Sequence, residues 1–438
     1  MNMLVFWTLA GILCCGSLWL GIRGNNQENS VHEFFACGSN LKLASLMLTI
    51  LATQLGGGSV IGTAEAAYHT GVVAIFYSLG IALGLMIMAF TVGPALRKWG
   101  ALTIAHVMGN LYQSERLRLL TSILSVTTLF LILVAIGVSC RKVFISLGFD
   151  SPWILVGFWA VLIGYTTFGG LRAVVVTDKL QILFILSVFA VILFYLGEQI
   201  TPILQRPLHW GSEESTEIPW SSWVLMPLCF MLISQDMGQR CFAAESDRSI
   251  RWAMIGGSTL LVLATLVPVF VGLLGKSMGL VIEKGSIFMA VIYASLPPTL
   301  MSFVAIAVVM AIVSTADSLL CAISSNVTLD ILRSKSMKQS RWITFLIGVL
   351  SLVFSFYEGD VIPVMLIGYS LSVFCLFTPF LMGLWLKKVT EKQALYSLSI
   401  GLLGFIMTKI ISFSGLEILI LGMTMLPYST SILKKLKE

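Results

Sequence analysis

Charged side chains are scarce in this sequence. Asp, Glu, Lys and Arg together make up 11% of its 438 residues, whereas soluble domains carry about 25%. Hydrophobic residues make up 57% of the chain. This composition excludes a soluble globular fold and indicates a chain that lies mostly in lipid.

Patterns typical of metal centres, disulfide frameworks and enzymes are missing as well. The four histidines are scattered, and the eight cysteines form no C-x-x-C pair. Most of these cysteines fall within hydrophobic stretches, where cysteine packs as a small apolar residue. No nucleophile, base and third group can be identified together. The sequence therefore predicts a protein that is not an enzyme and has no cofactor.

Apolar stretches of about 20 residues, the length that crosses the hydrocarbon core of a bilayer, recur along the chain. We count about thirteen, which predicts an all-α membrane protein. The first stretch has no basic n-region and no small-residue cleavage site, so we interpret it as a retained helix. We expect the N-terminus outside and, after an odd number of crossings, the C-terminus inside.

The distribution of basic residues agrees with this orientation. Under the predicted topology most of the 27 Lys and Arg residues face the inside, as the positive-inside rule requires. Acidic residues predominate in the longest outside loop, 197–220. The net charge of +6 thus reflects membrane topology and implies no nucleic-acid partner. We predict an integral protein of a bacterial cytoplasmic (inner) membrane, with the lipid bilayer as its surroundings.

The spans can be divided into two groups of five. A unit with an odd number of helices inserts upside down when it is duplicated, which is how many transporters are built. The predicted divisions are 1–41 for the first transmembrane helix and a cytoplasmic loop, 42–196 for the first five-helix repeat, 197–220 for an extracytoplasmic loop, 221–386 for the second five-helix repeat, and 387–438 for two C-terminal transmembrane helices.

Two short segments support this division. Segments 101–113 and 286–295 each follow the second helix of their repeat, and neither is long enough to cross the bilayer. The two segments thus occupy equivalent positions in the two repeats, as expected of an inverted pair. The alternative is that both are ordinary amphipathic loop helices.

Gly56, Gly57 and Gly58 interrupt the second span. Each glycine destabilises a helix interior by roughly 1 kcal/mol relative to alanine. Unwinding here would free backbone carbonyls near the bilayer midplane, which is tolerated only where they are buried in protein or line a cavity. We interpret the segment as a broken helix beside a binding site. Close helix packing through small residues is the alternative.

The ninth span, with the sequence AIVSTADSLLCAISS, carries oxygen-bearing side chains at helical spacing. Ala311, Ser314, Thr315 and Ser318 share one stripe, and Ser314, Asp317 and Ser318 form a second. Hard cations such as sodium prefer oxygen ligands. Membrane Ser and Thr can instead bond the carbonyl one turn earlier. An intramembrane Asp is less easily explained, because its insertion costs about 2.5–3.5 kcal/mol.

Four ordered motifs carry a resemblance to a known family: GYTTFGGLRAVVVTDKLQ, QRCFAAESDRSIRWA, PPTLMSFVAIAVVMA and STADSLL. With them the chain resembles the sodium:solute symporters, which include sodium-coupled proline, glucose, sialic acid and pantothenate carriers, over roughly residues 33–386. The resemblance implies the five-plus-five inverted-repeat fold of the leucine transporter type. It also implies import of a small organic solute, of amino acid, sugar, carboxylate or vitamin type, by sodium-coupled symport and alternating access.

The resemblance further implies site residues. The principal sodium site would comprise Ala52, Leu55, Ala311, Ser314 and Thr315. A possible second cation site would comprise Asp178, Ser314, Asp317 and Ser318. Candidates for the substrate region, by location alone, are Gln54, Gly57, Ser59, Tyr77 and Gln235. Relatives have a hydroxyl where this chain has Asp317, so a proton could replace the second cation. A proton-coupled or ion-independent carrier of the same fold stays open as an alternative.

Two acidic residues have a basic partner one turn along their own helix. Glu65 and His69 are predicted to pair near the outer vestibule, with a proton-linked gate as the alternative. Asp236 and Arg240 are predicted to form a snorkelling salt bridge at the inner end of the seventh span.

Overall fold

The structure is a computed structural model that describes residues 1–25, 30–204, 221–281, 285–357, 359–386, 389–411 and 415–437. Within these residues the chain is helical, and the one β contact is an isolated bridge between Leu41 and Ala244. The predicted all-α class is therefore confirmed. Of the predicted loop 197–220, residues 205–220 lie outside the described part of the chain.

The helices are numbered in chain order. The first nine are α1 Met3–Asn25, α2 Val31–Ala36, α3 Leu43–Gln54, α4 Thr63–Thr70, α5 Ile75–Phe90, α6 Val92–Lys98, α7 Ile104–Tyr112, α8 Glu115–Ser146 and α9 Pro152–Leu204. The others are α10 Met226–Met231, α11 Gln235–Ala243, α12 Asp247–Ser277, α13 Ile287–Ser295, α14 Pro298–Asn326, α15 Met337–Phe354, α16 Val361–Ser372, α17 Thr378–Trp385, α18 Glu391–Met407, α19 Leu416–Met425 and α20 Ser429–Lys437.

Many of these helices can cross a membrane. Among the described residues, 8 helical stretches are long and apolar enough to do so, and a ninth span is obtained if Leu43–Gln54 and Gly58–Thr70 are taken as one bent pair. The chain thus has the set of apolar helices that its composition requires. The count of about thirteen stays a prediction.

The second span is broken where the glycines predict it. Helix α3 ends at Gln54, and Leu55 adopts φ −89° and ψ 54°. A π-helical turn over Gly58–Gly62 continues into α4, and this second half of the span is bent by 55° relative to α3. The prediction of a broken helix is confirmed.

The glycines at this break also allow close packing, so the two interpretations of the sequence hold together. A Cβ atom on each glycine would overlap a side chain of a neighbouring helix: Thr315 Oγ1 at 1.9 Å for Gly56, Ser139 Cβ at 2.8 Å for Gly57, and Met365 Sδ at 2.4 Å for Gly58. The break is therefore held between α14, α8 and α16.

Two further breaks shape the bundle. Residues between Met231 and Gln235 leave the helical path, so α10 and α11 form a second broken helix. Helix α9 is kinked at Gly170, which has φ 49° and ψ −152°. The short segments 101–113 and 286–295 contain α7 and α13.

Helix α12 packs against α4 through Gly272, where a Cβ atom would lie 2.3 Å from the carbonyl oxygen of Ala64. A backbone atom cannot rotate away, so we expect Gly272→Ala to destabilise the protein by about 1–3 kcal/mol. The temperature at which half of the detergent-solubilised protein leaves the monodisperse peak in size-exclusion chromatography should fall by several degrees. Gly157→Ala is the matched control, because nothing lies within 4 Å of its Cβ position. Equal temperatures for the two variants would contradict the packing argument.

Candidate functional site

The break in the second span meets the hydroxyl-bearing face of α14. Ser314 Oγ lies 3.0 Å from the carbonyl oxygen of Ala52 and 3.1 Å from that of Ala311. Thr315 Oγ1 lies 3.3 Å from the Ala311 carbonyl oxygen and donates at 2.8 Å to that of Thr53. Four of the five residues predicted for the principal sodium site, Ala52, Ala311, Ser314 and Thr315, are thus linked by these hydrogen bonds.

The fifth predicted residue, Leu55, is fully buried at the break itself. Its neighbour Gly56 abuts Thr315, since a Cβ atom on this glycine would lie only 1.9 Å from the Thr315 hydroxyl oxygen. These groups offer neutral carbonyl and hydroxyl oxygens, the ligands that a hard monovalent cation accepts. Each hydroxyl also has two lone pairs and can rotate to present them to a cation. The residues present therefore fit sodium.

A second buried cluster lies beside this set, and Arg240 is its centre. The guanidinium Nη2 is 3.6 Å from Asp178 Oδ2 and donates to Thr49 Oγ1 at 3.1 Å and to Ser318 Oγ at 2.7 Å. It also donates to the hydroxyl of Thr53. Both charged side chains are 0% exposed. A protein-borne cation therefore lies among the oxygens predicted for the second cation site.

Asp317 belongs to the same region. It is 0% exposed, accepts a hydrogen bond from the Tyr165 hydroxyl, and has Ser318 Oγ 3.4 Å from its Oδ1. The structure thus brings Asp178, Asp317 and Ser318 together around Arg240. With two carboxylates and one guanidinium, the formal charge of this buried cluster is −1.

The prediction that Arg240 snorkels towards the membrane surface and pairs with the Asp236 side chain is wrong. Its Nη1 donates to the backbone carbonyl of Asp236 at 3.0 Å, while its charge is directed at Asp178. Thr49 and Thr53, which also line this cluster, are not among the residues predicted from the sequence. Their one-turn spacing on α3 was an available signal, but nothing local shows which helix that face meets.

Three of the substrate candidates line a small cavity of about 20 Å³ at the break, which we name the central cavity and whose wall also includes Thr53, Gly56 and Thr315. Its wall includes Gln54, Gly58, Ser59, Tyr77, Asp236 and Tyr369. The Ser59 hydroxyl donates to the Gln54 carbonyl at 2.5 Å. The cavity has room for a water molecule and not for an organic solute, so the structure represents a closed arrangement.

The two other substrate candidates lie elsewhere. The amide of Gln235 accepts from the backbone N–H of Ile104 at 2.8 Å and donates to the Leu102 carbonyl and to Ser325 Oγ. Gln235 therefore ties α11 to the segment that leads into α7. Gly57 faces Ser139 of α8. Neither residue is part of the cavity wall.

A larger cavity of about 1090 Å³, which we name the vestibule, lies beyond the central cavity along α4 and α16. On its wall Lys142 Nζ is 3.0 and 3.1 Å from the two carboxylate oxygens of Glu65, and 3.5 Å from Asp360 Oδ1. The predicted pair of Glu65 with His69 is wrong, because Lys142 of α8 reaches Glu65 and the His69 ring lies edge-on to Tyr68.

Comparison with known proteins agrees with this geometry. The model of the sodium:solute symporter family matches residues 34–205 and 208–401, which is most of the chain. The chain belongs to the sodium:solute symporter family. This match confirms the resemblance carried by the four motifs, and members of the family are transporters.

Relatives of this family member include transporters of animals. The high-affinity choline transporter 1 of Drosophila melanogaster is 24% identical over 416 residues, 88% of this chain and 63% of that protein. Solute carrier family 5 member 4 of Rattus norvegicus is 25% identical over 181 residues, 41% of this chain and 26% of that protein. The chain therefore spans less than two thirds of the length of either relative.

Solved structures share the fold. A sodium-coupled sialic acid symporter in a substrate-bound, outward-open state has a TM-score of 0.78 at 17% identity, with 97% of this chain and 96% of that chain covered. The nucleobase-cation-symport-1 transporter MHP1, closed around bromovinylhydantoin, has a TM-score of 0.62 at 15% identity, with 90% and 93% covered. MhsT in complex with L-phenylalanine has a TM-score of 0.59 at 14% identity, with 84% and 98% covered. The fold is that of the leucine transporter type.

The charge balance around Arg240 gives a stability prediction. Removal of one partner from a buried ion pair costs about 3–5 kcal/mol, because the other charge stays buried and unpaired. Arg240→Gln leaves Asp178 and Asp317 without their cation, so this variant should lose most stability. Adding Asp178→Asn returns the cluster to its original charge and should recover part of the loss.

The control is Arg333→Gln, which removes an ion pair with Glu115 whose side chains are 57% and 65% exposed. Its effect should stay within about 1 kcal/mol. Thermal unfolding of the four proteins in one detergent provides the measurement. A double variant less stable than Arg240→Gln would refute the charge-balance account.

Proposed function

We propose that this protein is a secondary active transporter that imports a small organic solute together with sodium by alternating access. The observation that carries the proposal is the convergence of the Ser314 and Thr315 hydroxyls with the carbonyls of Ala52 and Ala311 at the broken helix. Leu55 would complete the sodium site from the break. The chain's membership of a symporter family supports sodium as the coupling ion.

The proposal places the protein in a bacterial cytoplasmic membrane, with the N-terminus outside and the C-terminus inside. This orientation, with about thirteen crossings and two inverted five-helix repeats over 42–196 and 221–386, puts the vestibule on the outer side. Lys142, Glu65 and Asp360 would then line the entrance from which solute and sodium arrive. The terminal segments 1–41 and 387–438 would flank the repeats.

We further propose that one sodium ion moves in each cycle. The second predicted site, at Asp178, Ser314, Asp317 and Ser318, already has the guanidinium of Arg240 among its oxygens. A tenfold sodium gradient contributes about 1.4 kcal/mol per ion and a potential of 100 mV about 2.3 kcal/mol. Together they allow roughly a few hundredfold accumulation of a neutral solute.

The alternative is a carrier of the same fold driven by protons. Two buried carboxylates, Asp178 and Asp317, favour this candidate, because Asp178 Oδ1 has no hydrogen-bond partner among the described residues. A proton shared by these two groups would also neutralise the cluster. The two candidates differ in whether the protein responds to sodium at constant ionic strength.

Sodium binding can be measured without knowing the solute. An ion that binds only the folded protein raises the free energy of unfolding by RT ln(1 + [Na⁺]/Kd). We expect the unfolding temperature to rise as sodium replaces potassium, with a Hill coefficient near one. Ser314→Ala and Thr315→Ala should each raise the half-saturating sodium concentration tenfold or more, since a hydrogen-bonding group facing a charge contributes about 1.5–3 kcal/mol.

Ser324→Ala is the matched control, because Ser324 lies on the same helix and its hydroxyl only bonds the Leu320 carbonyl one turn earlier. It should keep the wild-type sodium response. An unfolding temperature indifferent to the exchange of potassium for sodium would leave the proton-driven candidate in place. Wild-type sodium affinity in both site variants would remove the site assignment.

A further inference from the structure

The wall of the central cavity has one formally charged side chain. Asp236 lines the cavity, and no Lys, Arg or His belongs to its wall among the described residues. The Asp236 side chain is buried, at 3% exposure. A solute that enters this cavity therefore meets a carboxylate and no basic group.

The broken helix of the seventh span directs this carboxylate at the cavity. The chain leaves α10 after Met231, and α11 begins at Gln235, so Asp236 lies in the first turn of α11. A helix N-terminus favours a negative charge, and the Ser234 hydroxyl donates to the Asp236 carboxylate. Both features favour the ionised form, against the cost of burying it in a closed site.

Arg240 does not neutralise Asp236 through an ion pair. Its Nη1 donates a hydrogen bond to the backbone carbonyl of Asp236, and its Nη2 forms the ion pair with the carboxylate of Asp178. No Lys or Arg in the described part of the chain forms an ion pair with the Asp236 side chain. Burying an ionised carboxylate without a counter-ion is unfavourable, so a cation that reached it would be bound strongly.

Aromatic rings surround the same space. The rings of Phe230 and Tyr369 stack with centroids 4.4 Å apart, and Tyr77 lies parallel to Tyr369 at 6.3 Å. All three side chains are part of the cavity wall. The face of an aromatic ring attracts an organic cation, most strongly where water is excluded. A carboxylate with aromatic rings is the chemistry that recognises an ammonium group.

The charges of the whole buried centre point the same way. Three carboxylates, Asp178, Asp236 and Asp317, are buried in this centre with the single guanidinium of Arg240, so its formal charge with every group ionised is −2. One sodium ion and one singly charged organic cation would bring the loaded centre to neutrality. A neutral centre costs least to hold away from water.

We propose that the solute of this carrier is an organic cation whose ammonium or amidinium group is bound by the Asp236 carboxylate beside the aromatic rings of Tyr77, Phe230 and Tyr369. The proposal rests on the proposed function and specifies its substrate class. Asp236 is then the residue that determines specificity. The closed cavity must widen to admit the solute, and Met365 and Tyr369 of α16, which contact Tyr77 in its wall, are the side chains expected to move.

Matched probes test the charge directly. Choline and 3,3-dimethylbutan-1-ol have the same shape with and without the positive charge; benzylamine with benzyl alcohol, and ethanolamine with ethylene glycol, extend the series to primary ammonium groups. In sodium buffer we expect at least one cation to raise the unfolding temperature of the purified protein by about 2 °C or more over its neutral partner. In Asp236→Asn that difference should disappear, and Asp236→Glu should keep it with at least tenfold weaker binding.

Three results would overturn the assignment: neutral probes that stabilise the wild type as well as the cations do, cations that stabilise Asp236→Asn as well as the wild type, or a series in which no cation exceeds its partner. If Asp236 only stabilised the first turn of α11, Asp236→Asn would unfold at a lower temperature than the wild type but would keep the preference for cations over their neutral partners.

Sodium provides the folding control and separates the two proposals. Asp236→Asn should keep a sodium-dependent rise in unfolding temperature, because Asp236 is not among the proposed sodium ligands, and it should weaken sodium binding less than Ser314→Ala or Thr315→Ala does. A wild type that responds to cations in potassium buffer but never to sodium would refute sodium coupling and retain Asp236. A wild type that is stabilised by sodium, and among the probes only by the neutral ones, would retain sodium coupling and refute the role of Asp236.

Discussion

Much of this structure depends on the contact between the unwound segment at Leu55 and the polar face of α14. In lipid, every backbone polar group must find a partner within the protein. The break frees carbonyls of α3, and the hydroxyls of Ser314 and Thr315 meet those of Ala52 and Thr53. The three glycines that follow Leu55 have no side chain, so α14, α8 and α16 can approach the break closely enough to surround it. The same features that make a broken helix tolerable thus assemble a set of neutral oxygens at the centre of the bundle.

The sequence indicated the two sides of this contact because their signals are local, while only the family resemblance implied that they meet. Three consecutive glycines weaken a helix wherever it packs, and the spacing of Ser314 and Thr315 with Ala311 defines one helical face. The cluster around Arg240 was beyond such reasoning. The one-turn spacing from Asp236 favours a local pair, whereas the actual partner, Asp178, lies on α9. Periodicity shows which residues share a face, and it does not show which two faces meet. The same limit hid the role of Thr53 and the pairing of Glu65 with Lys142.

Burial of charge in an apolar bundle then decides how the polar groups are arranged. A guanidinium with no exposure is expensive unless carboxylate and hydroxyl groups surround it, and Arg240 has both kinds of partner. Its position also divides the acidic residues of the centre into two sets. Asp178 and Asp317 face Arg240 and the hydroxyls of α14, while Asp236 faces the central cavity. One side of the centre is therefore provided with a fixed cation, and the other has a carboxylate whose partner must come from solution.

Coupling between ion and solute follows from the shared segment. Ala52 and Thr53 direct their carbonyls at α14, and only one turn away Gln54 and Ser59 line the central cavity, linked by a hydrogen bond of 2.5 Å across the break. An unwound segment has few internal hydrogen bonds to hold it, so its conformation depends on what lies on either side. A cation that draws the carbonyls towards α14 would fix the cavity wall opposite Asp236, and a solute that fixes this wall would in turn favour the cation. Such reciprocity is a thermodynamic requirement for two ligands that order the same element, and it is the property that a symporter needs.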